Sequence, residues 1–182
     1  MPLNPMLFAL SAGATFIART YDLDAKGMQE IFKEAAKHKG TSFVEIYQNC
    51  NIFNDGTFSA IYERSVRKDR ILRLKHGEVL VFGKDKNKGI RMRGLKPVIV
   101  DLDKDFNEKD LLIHDQYCED STLANLLSGF DYPDFPVPMG IFRQVENSTY
   151  GEKIEEQIKT QIEKKGVGNL EKLLRGNQVW TN

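Results

Sequence analysis

Residues 15–56 read TFIARTYDLDAKGMQEIFKEAAKHKGTSFVEIYQNCNIFNDG, and the fold is decided in that stretch. Thr15 to Tyr21 is short and β-rich, as a strand requires. Asp24 can cap a helix, because its carboxylate accepts from an orphan amide of the first turn. Met28, Ile31, Phe32, Ala35 and Ala36 follow at the i, i+3, i+4, i+7, i+8 spacing of a helix lying on a core, and Gly40 stops it. Ser42 to Tyr47 is a second strand. Strand, helix and strand with short connections predict a parallel pair, since only a crossover element returns the chain in the same direction. Ligands collect at the carboxyl ends of such strands. Chemistry is therefore expected in Gln48 to Gly56, the segment that follows Tyr47.

Outward from this unit the pattern is less regular. Asn4 to Ala12 carries Met6, Leu7, Phe8 and Leu10 ahead of a helix-stopping Gly13. Ala60 to Leu74 reads as a helix with a poor stripe, Glu78 to Phe82 as a short apolar strand, Lys84 to Gly94 as a basic turn, and Pro97 to Leu102 as a strand. Ser121 caps a helix through Leu127, and Phe130 to Pro138 reads as irregular chain rich in proline and aromatics. Gly151 to Lys165 has Ile154, Ile158 and Ile162 on one narrow stripe, which predicts a surface helix docked by one face. Leu170, Leu173, Leu174 and Trp180 are the expected anchors of the last segment.

Composition narrows the function classes. At about 150 residues per domain, 182 residues make one domain or one with an appendage. An apolar content of 41% suffices for a core and argues against disorder. Lys+Arg and Asp+Glu balance at 26 each, which makes nucleic acid a poor expectation as partner. The longest apolar run, Met6 to Ala18, is broken by Ser11, Gly13 and Thr15, so no membrane association is expected. It also has no basic segment in front, unlike a secretory signal. Two cysteines are too few for a disulfide scaffold, and a reduced, cytoplasmic setting is expected. No G-x-G-x-x-G, G-x-x-x-x-G-K-[ST] or H-E-x-x-H motif occurs.

Among reactive side chains, Cys50 has two readings: a small buried hydrophobe at a strand end, or a thiolate ligand or nucleophile. Residue type alone favours the first; its place past a strand terminus, among Asn49, Asn51, Asn54 and Asp55, raises the second. A nucleophile wants a nearby base and a metal wants further soft ligands; Cys118 is the one other thiol, in a polar context that reads as structural or exposed. His38 reads as a solvated helix-end residue and His76 as a turn residue. His114 and Asp115 are neighbours, but adjacent strand residues point to opposite faces, which argues against a catalytic pair. Arg64 to Lys75 is a phosphate or partner surface, or a solvated helix face.

Ala9 to Thr20 (ALSAGATFIART) and Lys37 to Phe58 (KHKGTSFVEIYQNCNIFNDGTF) resemble the β subunit of 2-oxoacid:ferredoxin oxidoreductases, in particular its 2-oxoglutarate type. HGEVLVFG, Ile113-His114-Asp115, FPVPMGIFR and the closing LEKLLRGNQVW extend the resemblance along the chain. It implies an α/β chain that forms part of a thiamin-diphosphate-binding fold, with a parallel sheet flanked by helices and a C-terminal helical tail. The expected division is 1–150 for the C-terminal half of the thiamin-diphosphate-binding domain and 151–182 for the tail. The family's β subunit holds thiamin diphosphate, magnesium and a 4Fe-4S cluster, and Cys50 matches the last of four cysteine ligands of that cluster. The other three cysteines and the magnesium motif lie in a half this sequence does not contain, so the resemblance is to a C-terminal portion that is inactive and binds no cofactor by itself.

The activity implied is oxidative decarboxylation of 2-oxoglutarate, with coenzyme A taking the acyl group and ferredoxin the electrons. The implied partners are the α subunit and ferredoxin, and no residue of this chain is expected to be catalytic. Asn49, Asn51 and Asn54 are expected beside the cluster, where amide donors to sulfur raise its potential; their other reading is turn-forming asparagines after a strand. Lys84, Lys86, Lys88, Arg91 and Arg93 form a basic turn that would steer an acidic carrier, or a solvated one. Pyruvate and branched-chain 2-oxoacid enzymes of the same family, and a non-catalytic α/β interaction module, are the alternatives.

Overall fold

A computed structural model describes residues 3–104 and 108–176. They fall in two compact units, Met1–Asn147 and Ser148–Asn182. In the first, α1 (Pro5–Ser11) begins at Asn4, whose side chain accepts from the Leu7 amide, and carries proline in its first turn, where no amide partner is needed. Then follow β1 (Phe16–Tyr21), α2 (Ala25–Lys37), capped as expected by Asp24 on the Gly27 amide, and β2 (Ser42–Tyr47). β1 and β2 pair in parallel from Phe16↔Ser42 to Tyr21↔Tyr47. Every residue of β1 is buried, as a central strand covered on both faces should be.

The region read as one helix, 60–74, is instead α3 (Ser59–Tyr62), α4 (Arg67–Arg70) and β3 (Ile71–Arg73). The tertiary pairing of Ile71 and Leu72 overrides the local helical preference of the arginines and lysines before them. Only Val81–Phe82 of the expected 78–82 strand is regular (β4), and the basic turn is largely a strand, β5 (Lys88–Arg93). β5 pairs antiparallel with β4 and with β6 (Lys96–Asp101), making a small second sheet. α5 (Thr122–Ser128) follows; its first amide is satisfied by Asp120 and not by Ser121, the expected cap.

The stretch read as irregular runs into β7 (Val137–Gln144), the second central strand of the main sheet, whose order is β2-β1-β7-β3. β7 changes partner midway. Val137–Met139 pair in parallel with β3, and from Gly140 onward β7 pairs antiparallel with β1. Pro138 sits where one side of the strand alone is paired, so its missing N–H breaks no ladder. The register then slips between Ile17 and Ala18, leaving Phe142 as the extra, bulged residue. Two of the three pairings in this sheet are parallel.

Helices cover both faces. Ile31 of α2 packs on Phe16 and Ala18, whereas Phe32 and Ala36, assigned to the same stripe by spacing, are exposed. Opposite, Met6, Ala9 and Leu10 of α1 and Ala124 and Leu127 of α5 pack with Ile17, Phe142 and Leu72, together with Phe82 and Ile90 of the second sheet. A separate cluster of Tyr21, Ile61, Tyr62, Ile71, Val137 and Met139, with Tyr47 and Phe58 against it, closes the carboxyl end of β1.

The second unit holds α6 (Tyr150–Lys165), opened by a full capping box of Thr149 and Glu152, and α7 (Leu170–Arg175). Ile158 and Ile162 are exposed, as are Leu170, Leu173 and Leu174, so these three do not act as the expected anchors. Trp180 lies outside the described residues. No helix among the described residues is long and apolar enough to cross a membrane.

Gly140 is required where β7 changes partner. Its φ is +133°, and a Cβ there would lie 2.8 Å from the Leu74 carbonyl oxygen and 3.0 Å from the Leu74 Cβ. Gly140→Ala is expected to lower stability by about 2–3 kcal/mol, measured by urea unfolding; a loss below about 0.5 kcal/mol would contradict this junction.

Candidate functional site

The parallel pair delivers its two carboxyl ends side by side, and the first residues beyond them hold one another. Asp22 N–H donates to the Tyr47 carbonyl and the Asp22 carboxylate accepts from the Asn49 N–H, both at 3.0 Å. The Gln48–Gly56 loop is built outward from Asn49. Its amide donates to Asn51 Oδ1 (2.8 Å) and Asp55 Oδ1 (2.9 Å), and its Oδ1 accepts from the Gly56 N–H (2.8 Å). Gly56 takes a φ of +75°, the left-handed turn that lets the chain double back. Cys50 and Asn54 face each other across an isolated antiparallel bridge, with Asn54 N–H on the Cys50 carbonyl at 2.9 Å; Thr57 Oγ1 donates to Asn54 Oδ1.

Cys50 is half-buried at the neck of this loop. The backbone N–H groups of Phe53, Ile52 and Asn54 donate toward its sulfur and hold the thiol below its ordinary pKa, against a smaller opposing effect of burial. Such a nest of amides stabilises negative charge, so the sulfur is predisposed to the thiolate that a metal ligand requires. At the tip, Ile52 and Phe53 are 84% and 89% exposed. At the root, Tyr47 stacks on Phe58 with ring centroids 4.3 Å apart. Burial pushes the Tyr47 hydroxyl up to about 12, although the Arg19 guanidinium pulls it the other way.

The three asparagines thus differ. Asn49 is the hub of the loop, Asn51 and Asn54 accept from neighbours through Oδ1, and all three make turn-forming contacts. Cys118 lies before α5, half-buried, and among the described residues no three His, Cys, Asp or Glu side chains gather as a metal site.

The histidines take structural places. His38, expected in solvent, is half-buried at the end of α2, shares a 2.8 Å hydrogen bond with Thr15 Oγ1, and has its pKa lowered first of all by burial. His114 is fully buried with Nε2 2.8 Å from the Ile141 carbonyl, and burial lowers its pKa too. Asp115 turns the other way and meets His76 Nδ1 at 3.3 Å, so the neighbours form no pair.

No protein-family model matches the chain. The 2-oxoglutarate oxidoreductase subunit KorB of Mycobacterium tuberculosis is 32% identical over 188 residues, an alignment covering 99% of this chain and 48% of that protein. The 2-oxoacid:ferredoxin oxidoreductase subunit beta of Saccharolobus solfataricus is 41% identical over 66 residues, 36% of this chain and 22% of that one. The chain is related to these β subunits. It spans about half the length of the KorB relative and less of the other. A solved structure of the 2-oxoglutarate:ferredoxin oxidoreductase from Magnetococcus marinus, with 2-oxoglutarate, coenzyme A and succinyl-CoA bound, superposes with a TM-score of 0.55 at 20% identity. It covers 95% of this chain and 43% of that one, and bears out the α/β fold expected from the sequence.

Two outcomes follow from this geometry. Asn49→Ala removes three side-chain hydrogen bonds and is expected to raise the rate of proteolytic nicking within 48–58 by about tenfold; an unchanged rate would deny Asn49 its central role. For His114 and His38 the folded pKa lies below the unfolded one. The unfolded chain therefore binds more protons as pH falls through the ordinary histidine range, so stability is full above about pH 6.5 and declines below it. Urea midpoints at pH 7.5 and 5.5 should show that decline, and His114→Gln should flatten it. A stability that rises on acidification would reverse the sign.

Proposed function

We propose that this chain is the C-terminal part of the β subunit of a 2-oxoglutarate:ferredoxin oxidoreductase, working with an α subunit in the cytoplasm. The observation that carries this reading is similarity to the KorB relative along 99% of the chain. In this reading 1–150 is half of a thiamin-diphosphate-binding domain and 151–182 a helical tail. The enzyme decarboxylates 2-oxoglutarate oxidatively, with succinyl-CoA as product and ferredoxin as electron acceptor.

Cys50 fits the role of a single thiolate ligand: it is accessible, its charge is stabilised by backbone amides, and its loop is braced from within. One thiolate is a quarter of what a 4Fe-4S cluster needs, so three further cysteines would come from residues outside this chain, as would the magnesium and thiamin-diphosphate contacts. When bound, thiamin diphosphate supplies the decarboxylation chemistry and the cluster supplies one-electron transfer. This chain's part is to orient the sulfur and tune it. The backbone amides of Phe53, Ile52 and Asn54 lower the negative charge at sulfur, whereas the Asn51 and Asn54 side chains accept hydrogen bonds within the loop. Asn49 acts at one remove, by holding the loop.

In the complete α/β enzyme, Cys50→Ser is expected to abolish the electron paramagnetic signal of the reduced cluster and lower bound iron. An unchanged signal would remove Cys50 from the ligand set. The assembled wild type should turn over 2-oxoglutarate faster than pyruvate. A preference for pyruvate would move the chain to that branch of the family, and an enzyme without iron or thiamin would leave the interaction-module reading.

A further inference from the structure

The two basic stretches of the sequence, Arg64–Lys75 and Lys84–Arg93, meet in the fold. α4 and β3 form one wall and the turn after β4 the other, tied by Gly83 N–H on the Lys68 carbonyl (3.0 Å) and Lys84 N–H on Asp69 Oδ1 (3.1 Å). Between them opens a cavity of about 790 Å³ lined by Arg67, Lys68, Arg73, Lys75, Lys84 and Lys86. A smaller hollow of about 330 Å³ shares Arg67, Lys68 and Lys84 with it and adds Arg64 to the rim.

The charges facing this cavity are unbalanced. Its one carboxylate among the described residues, Glu78, lies 3.3 Å from Lys75, and Arg73 is held by Asp24 and the Tyr21 hydroxyl. Asp69 is occupied by the Lys84 backbone. Arg67, Lys68, Lys84 and Lys86 have no ion pair among the described residues. A chain whose formal charges cancel overall thus concentrates cations in one concavity. Asp24 lies within the field of Arg67, yet the cations still outnumber the carboxylates around them; such an excess is self-repelling, a cost that a bound anion relieves. Lys86 has a φ of 55°, a conformation uncommon outside glycine and asparagine, in the turn that carries two of these side chains. The lining is not all polar: Ile71, Val81 and Phe82 also face the space.

We propose that this cavity binds a small phosphate-bearing organic anion of nucleotide size. Volumes of about 300–1,000 Å³ suit small molecules, several cations suit several phosphate oxygens, and the apolar lining suits an organic body beside them. A concave, internally braced site favours such a ligand over an acidic protein, which would need a broad accessible face. The inference does not rest on the function proposed above.

The test is calorimetric titration of the full chain with inorganic tripolyphosphate, with ATP and with a poly-glutamate peptide. ATP is expected to bind saturably at one site, more tightly than tripolyphosphate, and to weaken on raising salt from 50 to 300 mM. Arg67→Ala with Lys84→Ala should weaken it at least tenfold, and the exposed single change Lys86→Ala, least able to disturb folding, about threefold. Lys153→Ala on α6 should leave it unchanged. Absence of saturable binding, equal affinity in the variants, or ATP no tighter than tripolyphosphate would each overturn the proposal. Poly-glutamate binding more tightly than ATP would overturn it in favour of an acidic protein.

Discussion

The Asp22 carboxylate receives the Asn49 N–H while the Asp22 N–H reaches the Tyr47 carbonyl, and the candidate site depends on this reciprocal grip. β2 is an edge strand, so its continuation beyond Tyr47 has a neighbour on one side alone. Fixing the Asn49 backbone there frees its side chain to organise the loop, and three hydrogen bonds from one amide then set the positions of Asn51, Asp55 and Gly56. Cys50 inherits its orientation from that arrangement. The thiolate-stabilising amides follow from chain direction and turn geometry, with no charged side chain aimed at the sulfur.

Beneath the site lies a costly element that the fold compensates in part, since Arg19 Nη1 is buried without a hydrogen-bond partner. Arg19 is 3% exposed on the central strand. A buried guanidinium is tolerated when paired and covered. Here Glu45, its register partner on β2, accepts from Nε at 2.5 Å, and the rings of Tyr47 and Phe142 lie 5.2 and 5.5 Å from the guanidinium carbon. Phe142 reaches that place because β7 is bulged there. The irregularity of one central strand thus covers the charge on the other.

That irregularity also explains what could be read from sequence. β1, α2 and β2 were legible because their local patterns agree with their tertiary roles. β7 was not, because Pro138 and Gly140 are strand breakers whose permission comes from the change of partner and from the close approach of Leu74, neither visible locally. β3 is three residues long, too short to carry a period, and β5 has a cation at three of six positions, which reads as solvated turn. At the site, the position of Cys50 could be read from the strand end it follows; His114 and Asp115 do point apart, but in irregular chain beside the isolated Val79–Ile113 bridge and not in a strand. The role of Asn49 could not be read, since Gln48, Asn49, Asn51 and Asn54 are all polar loop residues and the sequence gives no indication of which one faces inward. The burial of His38 is hidden for a similar reason: a helix end tells nothing of the Thr15 hydroxyl that approaches from the residue before β1.

The loop's order resides in its polar interior and not in its tip. Ile52 and Phe53 project into solvent, yet each uses its backbone N–H on the Cys50 sulfur, so side chain and main chain of the same residues face different tasks. Covering two such side chains contributes roughly 1.5–3 kcal/mol each, a gain open to whatever segment comes to lie on them. On the function proposed above, that gain is available to assembly of the complete subunit, because the loop is already ordered and its conformational entropy is not lost again on docking. On that same proposal, a Cys50 held this way would need the rest of the protein only to bring further ligands to a sulfur already in place.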